Sequence, residues 1–175
     1  MKKLLLINFI FLSLWSCENK VIQYPVSYNN DDFMKRSQER GKLLLEEEIS
    51  WFNKYMKDSE LKFNKTESGF WISNSGIKSP NMANIGDYVH FTYQVFDIDN
   101  KLIYSSDEVG EHKAILGKAN YTRGINAALQ LIEPGKEAKL LLPSFLAYGG
   151  FGDQDKIGAN QPIIVDLKII DIKKH

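Results

Sequence analysis

The stretch that decides the fold runs from Thr122 to Ile172, "TRGINAALQLIEPGKEAKLLLPSFLAYGGFGDQDKIGANQPIIVDLKIIDI". Its apolar period changes along its length. Ile125, Ala128, Leu129 and Ile132 recur at three- and four-residue spacing, which predicts one face of a short helix. "EPGKE" then turns the chain, and the apolar runs Glu137–Pro143 and Ile163–Ile172 read as a pair of strands. Between the strands lies Ala147–Pro162, rich in Gly, Asp and Asn. It is far longer than the usual connection of about 4–6 residues, and an ordered loop of that length is commonly a lid or binding loop. Tyr148, Phe151 and Ile157 stand where a solvated linker would carry polar side chains, so they face either the core or a ligand.

Upstream, the pattern is also that of short strands. "GFWISNSGI" (Gly69–Ile77) reads as a strand and "SPNMANIGD" as a turn-rich link. "YVHFTYQVFDIDNKLIYSS" reads as a hairpin turning at Asp99-Asn100, and "KAILG" as a further short strand. Many antiparallel strands with one internal helix make an α+β domain, its sheet burying one face on the helix and leaving the other wet. Before it, Asp31–Lys57 has helical period, with Asn30 or Asp31 as cap and Met34, Leu45, Ile49, Phe52 and Met56 on one side. Gly41 costs about 1 kcal/mol relative to Ala there, which allows two helical pieces as well as one. The aromatic end, Trp51, Phe52 and Tyr55, is expected to dock on the following domain; the other reading is pairing with a second protein.

Composition excludes several functions. Lys+Arg and Asp+Glu both total 22, giving a formal net charge of zero, and no basic stripe points to nucleic acid. No apolar run reaches the roughly 20 residues of a spanning helix. "MKKLLLINFIFLSLWSC" has a basic start and a short apolar core, the form of an export signal. The chain's one cysteine, Cys17, ends it, and "LWSC" resembles a bacterial lipobox whose Cys takes a lipid. Cys17 is therefore expected to be the lipid attachment point, with multiple acyl chains giving stable membrane binding. The organisation read from the sequence is a signal over 1–17, a tether over 18–30, a helical extension over 31–68 and the α+β domain over 69–175.

Catalytic groups of the usual kinds are not evident. His90, His112 and His175 show no metal spacing, and "DID" and "DQD" lack the rest of a calcium loop, so no metal or cofactor is expected. What remains is a pocket of aromatic and aliphatic side chains fed by strands, short helix and long loop.

From Gly86 to Ile172 the ordered motifs "GDYVHFTY", "NKLIYSS", "ILGKANYTRGINAALQLIEPGKEAKLLLPSFLAYG" and "IGANQPIIVDLKII" resemble the FKBP-type peptidyl-prolyl isomerases. With "LWSC" and "EEEISWFNKYMKDSELKFNKTESGFW", the whole chain resembles the gliding-motility-associated lipoprotein isomerases of Bacteroidota. The resemblance implies a twisted antiparallel sheet wrapped on the short helix, with the long loop as a flap over an apolar basin. It implies that Tyr148 offers its phenol to a substrate carbonyl, that the Thr122 amide binds a second one, and that Ile157 closes a wall. Phe91, Ile103, Tyr104, Tyr121, Ile125 and Val165 would line the basin and bind substrate.

The implied activity is prolyl cis-trans isomerisation of exported proteins by desolvation of the Xaa-Pro bond. The implied partners are proline-containing polypeptide clients, a membrane through the lipid, and gliding or secretion machinery proteins. The expected site is the outer membrane, facing the periplasm. Five positions depart from the family, which usually has Tyr at Phe91, an aromatic at Ile103, Asp at Tyr104, Trp at Ile125 and Phe at Val165. These changes enlarge the basin and remove a polar partner, which favours prolyl binding over fast turnover; a non-catalytic module docking a partner is the alternative.

Overall fold

The computed structural model describes residues 31–73 and 79–175. The export signal, Cys17 and the tether lie outside the described residues. Helix α1 (Asp31–Asp58) leads into strands β1 (Phe63–Lys65), β2 (Trp71–Ser73), β3 (Tyr88–Phe96) and β4 (Leu102–Tyr104). One-turn helix α2 (Ser106–Val109), β5 (Glu111–Ile115), α3 (Arg123–Ala128), β6 (Glu137–Leu142) and β7 (Ile163–Lys173) follow. Two 3-10 turns, Ser144–Leu146 and Gly149–Phe151, open the long loop between β6 and β7.

All these strands form one antiparallel sheet in the order β1-β2-β6-β7-β3-β4, with β5 also on β3. β3 pairs along its whole length with β7, from Tyr88↔Lys173 to Phe96↔Ile164, with a register shift between His90 and Phe91. Its other edge is divided. β5 takes Tyr88–Thr92, and β4 takes Val95 and Phe96. α2 occupies the interval: Ser105 caps it by accepting from the Glu108 N–H, and the Thr92 hydroxyl donates to the Gly110 carbonyl at 2.9 Å. The hairpin turns as its Asp and Asn content predicts. Asp97 Oδ1 accepts from the N–H groups of Asp99 and Lys101, and Asn100 takes the left-handed conformation that Asn tolerates.

Alternation sorts the strand residues into two apolar layers. Leu140, Leu142, Ile163, Val165, Leu167, Val89, Phe91 and Val95 point to one face and pack with Ile125, Ala128, Leu129 and Ile132 around α3. The helix is held close. A Cβ on Gly124 would stand 2.8 Å from Leu142 Cδ2 and 3.1 Å from the Leu146 carbonyl, so only glycine lets α3 approach β6. Trp71, Leu141 and Ile164 point the other way, and Phe52 of α1 buries itself on them, its ring 5.5 Å from that of Trp71.

One expectation is corrected here, one alternative is decided and one strand is seen in part. The second sheet face is not left wet, because the C-terminal half of α1 covers its apolar centre with Ile49, Phe52, Tyr55 and Met56. α1 is one unbroken helix of 28 residues rather than two pieces. A penalty of about 1 kcal/mol at Gly41 does not break a helix whose propagation is cooperative. The strand read at Gly69–Ile77 is seen only as Trp71–Ser73, with residues 74–78 outside the described residues, and sheet pairing already begins at β1, N-terminal to it. Among the described residues no helix is long and apolar enough to cross a membrane.

Candidate active site

β3 supplies the centre of the site. Phe91 and Tyr93 point to the same face because strand side chains alternate, and antiparallel pairing sets His112 of β5 directly opposite Phe91. The three rings stack, with His112 centred 5.3 Å from Phe91 and 5.4 Å from Tyr93. Tyr121 meets this layer edge-on, 5.1 Å from Phe91, and its hydroxyl lies 3.1 Å from His112 Nδ1. Thr122 follows as the N-cap of α3, its side chain accepting from the Ile125 N–H. None of the hydrogen bonds among the described residues uses the Thr122 N–H.

The long loop folds over this layer. Pro143 starts a 3-10 turn in which Leu146 and Ala147 donate to its carbonyl, and the loop closes on itself through Asn160 N–H to the Gly149 carbonyl at 2.7 Å. Asp153 then organises the tip: its Oδ1 accepts from the Asp155 and Ile157 N–H groups at 2.9 and 2.8 Å. Gly152 is required beside it. A Cβ there would fall 2.2 Å from the Ile157 carbonyl, and its φ is +68°. The tip is clasped to the hairpin. Tyr104 donates to Asp153 Oδ2 at 2.5 Å, and Lys156 lies over the Tyr104 ring while pairing with Glu108 of α2.

Apart from Cys17, outside the described residues, and Thr122, the sequence-derived residues fall in or against one core cluster. Phe91, Ile125, Ile157 and Val165 belong to the buried core cluster, and Ile103, Tyr104, Tyr121 and Tyr148 pack half-buried against it. Thr122 stands between Tyr121 and α3. The division matters for chemistry. With relative exposures of 0 to 2%, the first four are covered, so the surface offered to a ligand belongs to the half-buried tyrosines, Ile103 and His112. Tyr93 and His112 add rings beside Phe91 that the reading of the basin from sequence did not include. The polar partner lost at Tyr104 is returned from the opposite side, because Asp153 brings a carboxylate to the Tyr104 phenol. Phe151, whose role was open, is 88% exposed at the loop surface.

Electrostatics keep the phenols protonated. Burial, with the neighbouring Tyr148 and Tyr121, pushes Tyr93 up to about 12. Burial, then the Asp153 charge, raises Tyr148, and burial raises Tyr121. Tyr104 is raised by burial and by its bond to Asp153. Burial lowers His112, which favours neutral imidazole. Burial would raise Asp153, but bonds from Tyr104 and the Asp155 and Ile157 amides outweigh it and hold the carboxyl below its ordinary range. No hydrogen bond among the described residues engages the Tyr148 hydroxyl, so its proton can be given to a ligand carbonyl. Tyr93, His112 and Asp153 were not singled out from the sequence. Two-residue spacing from Phe91 pointed to Tyr93; nothing local marked the other two.

The family model for FKBP-type peptidyl-prolyl cis-trans isomerases matches residues 79–170. The chain is 29% identical over 154 residues to "Outer membrane protein MIP" of Legionella longbeachae, covering 84% of this chain and 63% of that protein. It is 28% identical over 127 residues to the probable FKBP-type peptidyl-prolyl cis-trans isomerase FkpA of Neisseria meningitidis, covering 69% and 46%. The chain thus spans less than two thirds of either relative. Among solved structures, FkpA from Escherichia coli shares the fold with a TM-score of 0.60 at 19% identity, over 99% of this chain and 82% of that one. A peptidyl-prolyl isomerase from Pseudomonas syringae gives the same TM-score and identity over 76% and 96%.

Proposed function

The chain belongs to the FKBP-type peptidyl-prolyl cis-trans isomerase family, and from that premise we propose that it isomerises Xaa-Pro bonds of exported polypeptides at a cell-envelope membrane. The observation that carries the reading is the Tyr148 phenol, protonated and unengaged among the described residues, at the edge of an aromatic layer. Such a site needs no acid, base or nucleophile. The barrier to rotation, about 18–20 kcal/mol, comes from amide resonance. Water favours the charge-separated resonance form, so moving the bond against Tyr93, His112 and Tyr121 weakens it. Hydrogen bonds from Tyr148 and from the Thr122 amide then hold the substrate carbonyls while the bond twists. Ile157, Ile125 and Val165 are buried, so in this reading substrate reaches them when neighbouring side chains or the flap move aside. The lipobox-like "LWSC" supports lipid attachment through Cys17. In the proposed reading this anchor lies in the outer membrane and faces the periplasm, with clients among exported or gliding and secretion proteins.

The test is the exchange rate between cis and trans forms of a short Xaa-Pro peptide, read by NMR line shape with the full chain present. Acceleration that falls in Tyr148→Phe supports the activity; none at any peptide concentration removes it. A second reading is favoured by one feature, the clasping of the flap over covered residues by Tyr104 and Asp153. In that reading the chain holds prolyl segments without turning them over, and peptide shifts would appear without line broadening from isomerisation.

A further inference from the structure

Glu48 is fully buried in the middle of α1, an unusual place for a carboxyl. Its Oε2 accepts from the Ser144 N–H at 3.0 Å, across 96 positions of sequence. Its Oε1 has no hydrogen-bond partner among the described residues. A cavity of about 200 Å³ adjoins it, with Leu44 and Leu45 of α1 on one side and Gly149, Gly150 and Asn160 of the flap on the other. Ser144 opens the 3-10 turn that carries the chain through Ala147 into Tyr148, and Asn160 closes the loop on Gly149. One end of the flap is thus bonded to the Glu48 carboxyl, and the other lines the cavity beside it. A buried polar group of this kind is expensive unless it is bonded, so its retention here calls for a role beyond packing.

The geometry points to Glu48 as a positioning residue for the flap: from α1 its carboxyl holds the Ser144 turn, and through that turn the Tyr148 phenol, in place. The helix read from the sequence as an extension thus becomes part of the site's scaffold. Burial raises the Glu48 carboxyl, against the Ser144 bonds, with the adjacent Glu47 charge adding to the rise. The cavity-lining residues of α1 and of the flap bring no other charged side chain. A group whose pKa is raised on folding supports the fold below its unfolded value and loses that support as pH rises through its folded value. Ionised Glu48 is the stronger acceptor for Ser144 but leaves Oε1 charged and unpaired in a buried setting, a larger cost that opening of the turn relieves.

The kinetic arm of the test rests on the isomerase reading; the structural arm does not. Amide hydrogen exchange is read residue by residue in the full chain for wild type, Glu48→Ala and Glu48→Gln, beside the Xaa-Pro exchange rate. Glu48→Ala is expected to speed exchange at Ser144, Ala147 and Asn160 at least about tenfold, leaving β3 and β7 unchanged, and to lower kcat/KM severalfold. Glu48→Gln, which keeps an oxygen for the Ser144 N–H, restores both. After correction for intrinsic exchange, flap protection in wild type falls as pH rises through the Glu48 titration and stays level in Glu48→Gln. Wild-type exchange at these amides in Glu48→Ala, or a rise spread equally over β3 and β7, overturns the inference. If Glu48→Ala does not fold, the same pH dependence in Glu48→Gln as in wild type overturns it. A wild-type chain that gives no isomerisation removes the isomerase reading, and flap exchange alone then decides the role of Glu48.

Discussion

Tyr148 offers a single removable group, its hydroxyl, so Tyr148→Phe isolates the hydrogen bond from the packing of the ring. Under the proposed activity the change lowers kcat/KM about tenfold, which corresponds to about 1.4 kcal/mol of transition-state stabilisation, and leaves the unfolding midpoint unchanged. NMR exchange kinetics beside a denaturant melt check both halves. Asp153 gives a second residue-scale prediction. Its carboxyl is held below the ordinary range by Tyr104 and the flap amides. A depressed pKa means that the stabilisation is present above the unfolded value and is lost as pH falls through the folded one. The Ile157 and Asp155 amides are therefore expected to stay protected from neutral pH into the usual carboxylate range and to open only below it. In Asp153→Asn that acid-induced opening disappears and exchange at both amides is faster throughout. The wall residues Ile125 and Val165 were legible in the sequence as apolar positions. Their near-complete burial was not, because it depends on how helix, sheet and flap close on one another.

At the scale of elements, the flap and α3 both depend on glycine, for different reasons. Gly152→Ala pushes a Cβ against the Ile157 carbonyl at a positive φ, so the flap has to open. The expected result is loss of Ile157 protection with β3 and β7 still protected, read by hydrogen exchange. Gly41 is the contrary case, since a Cβ there meets nothing within 4 Å. Gly41→Ala is expected to stabilise the chain by up to about 1 kcal/mol, measured as a higher denaturation midpoint. Helix α3, the hairpin turn at Asn100 and strands β6 and β7 were all readable from period and turn residues, since each is specified within a few neighbouring positions. The division of one edge of β3 between β4 and β5 was not, because "NKLIYSS" and "KAILG" carry no mark of the strand they will share.

At the largest scale, the second apolar layer makes the C-terminal half of α1 part of the unit that holds the sheet. Phe52 is buried on Trp71, Leu141 and Ile164, and truncating such a side chain typically costs about 3–5 kcal/mol. Phe52→Ala is expected to lower the unfolding free energy by about that amount in a two-state melt; a change below about 1 kcal/mol would mean that α1 is not coupled to the sheet. The sequence by itself left β1 and α2 unmarked but determined the α+β class, the short central helix, the two strands that follow it and the long loop carrying Tyr148 and Ile157. These follow from apolar period and from Gly, Pro, Asn and Asp chemistry, which act over a few residues. Only the tertiary structure decided which groups meet. His112 stands against Phe91 by strand register, Asp153 reaches Tyr104 across 49 positions, and Glu48 reaches Ser144 across 96. Contacts of that separation are fixed by how the layers close on one another, and no local pattern records them.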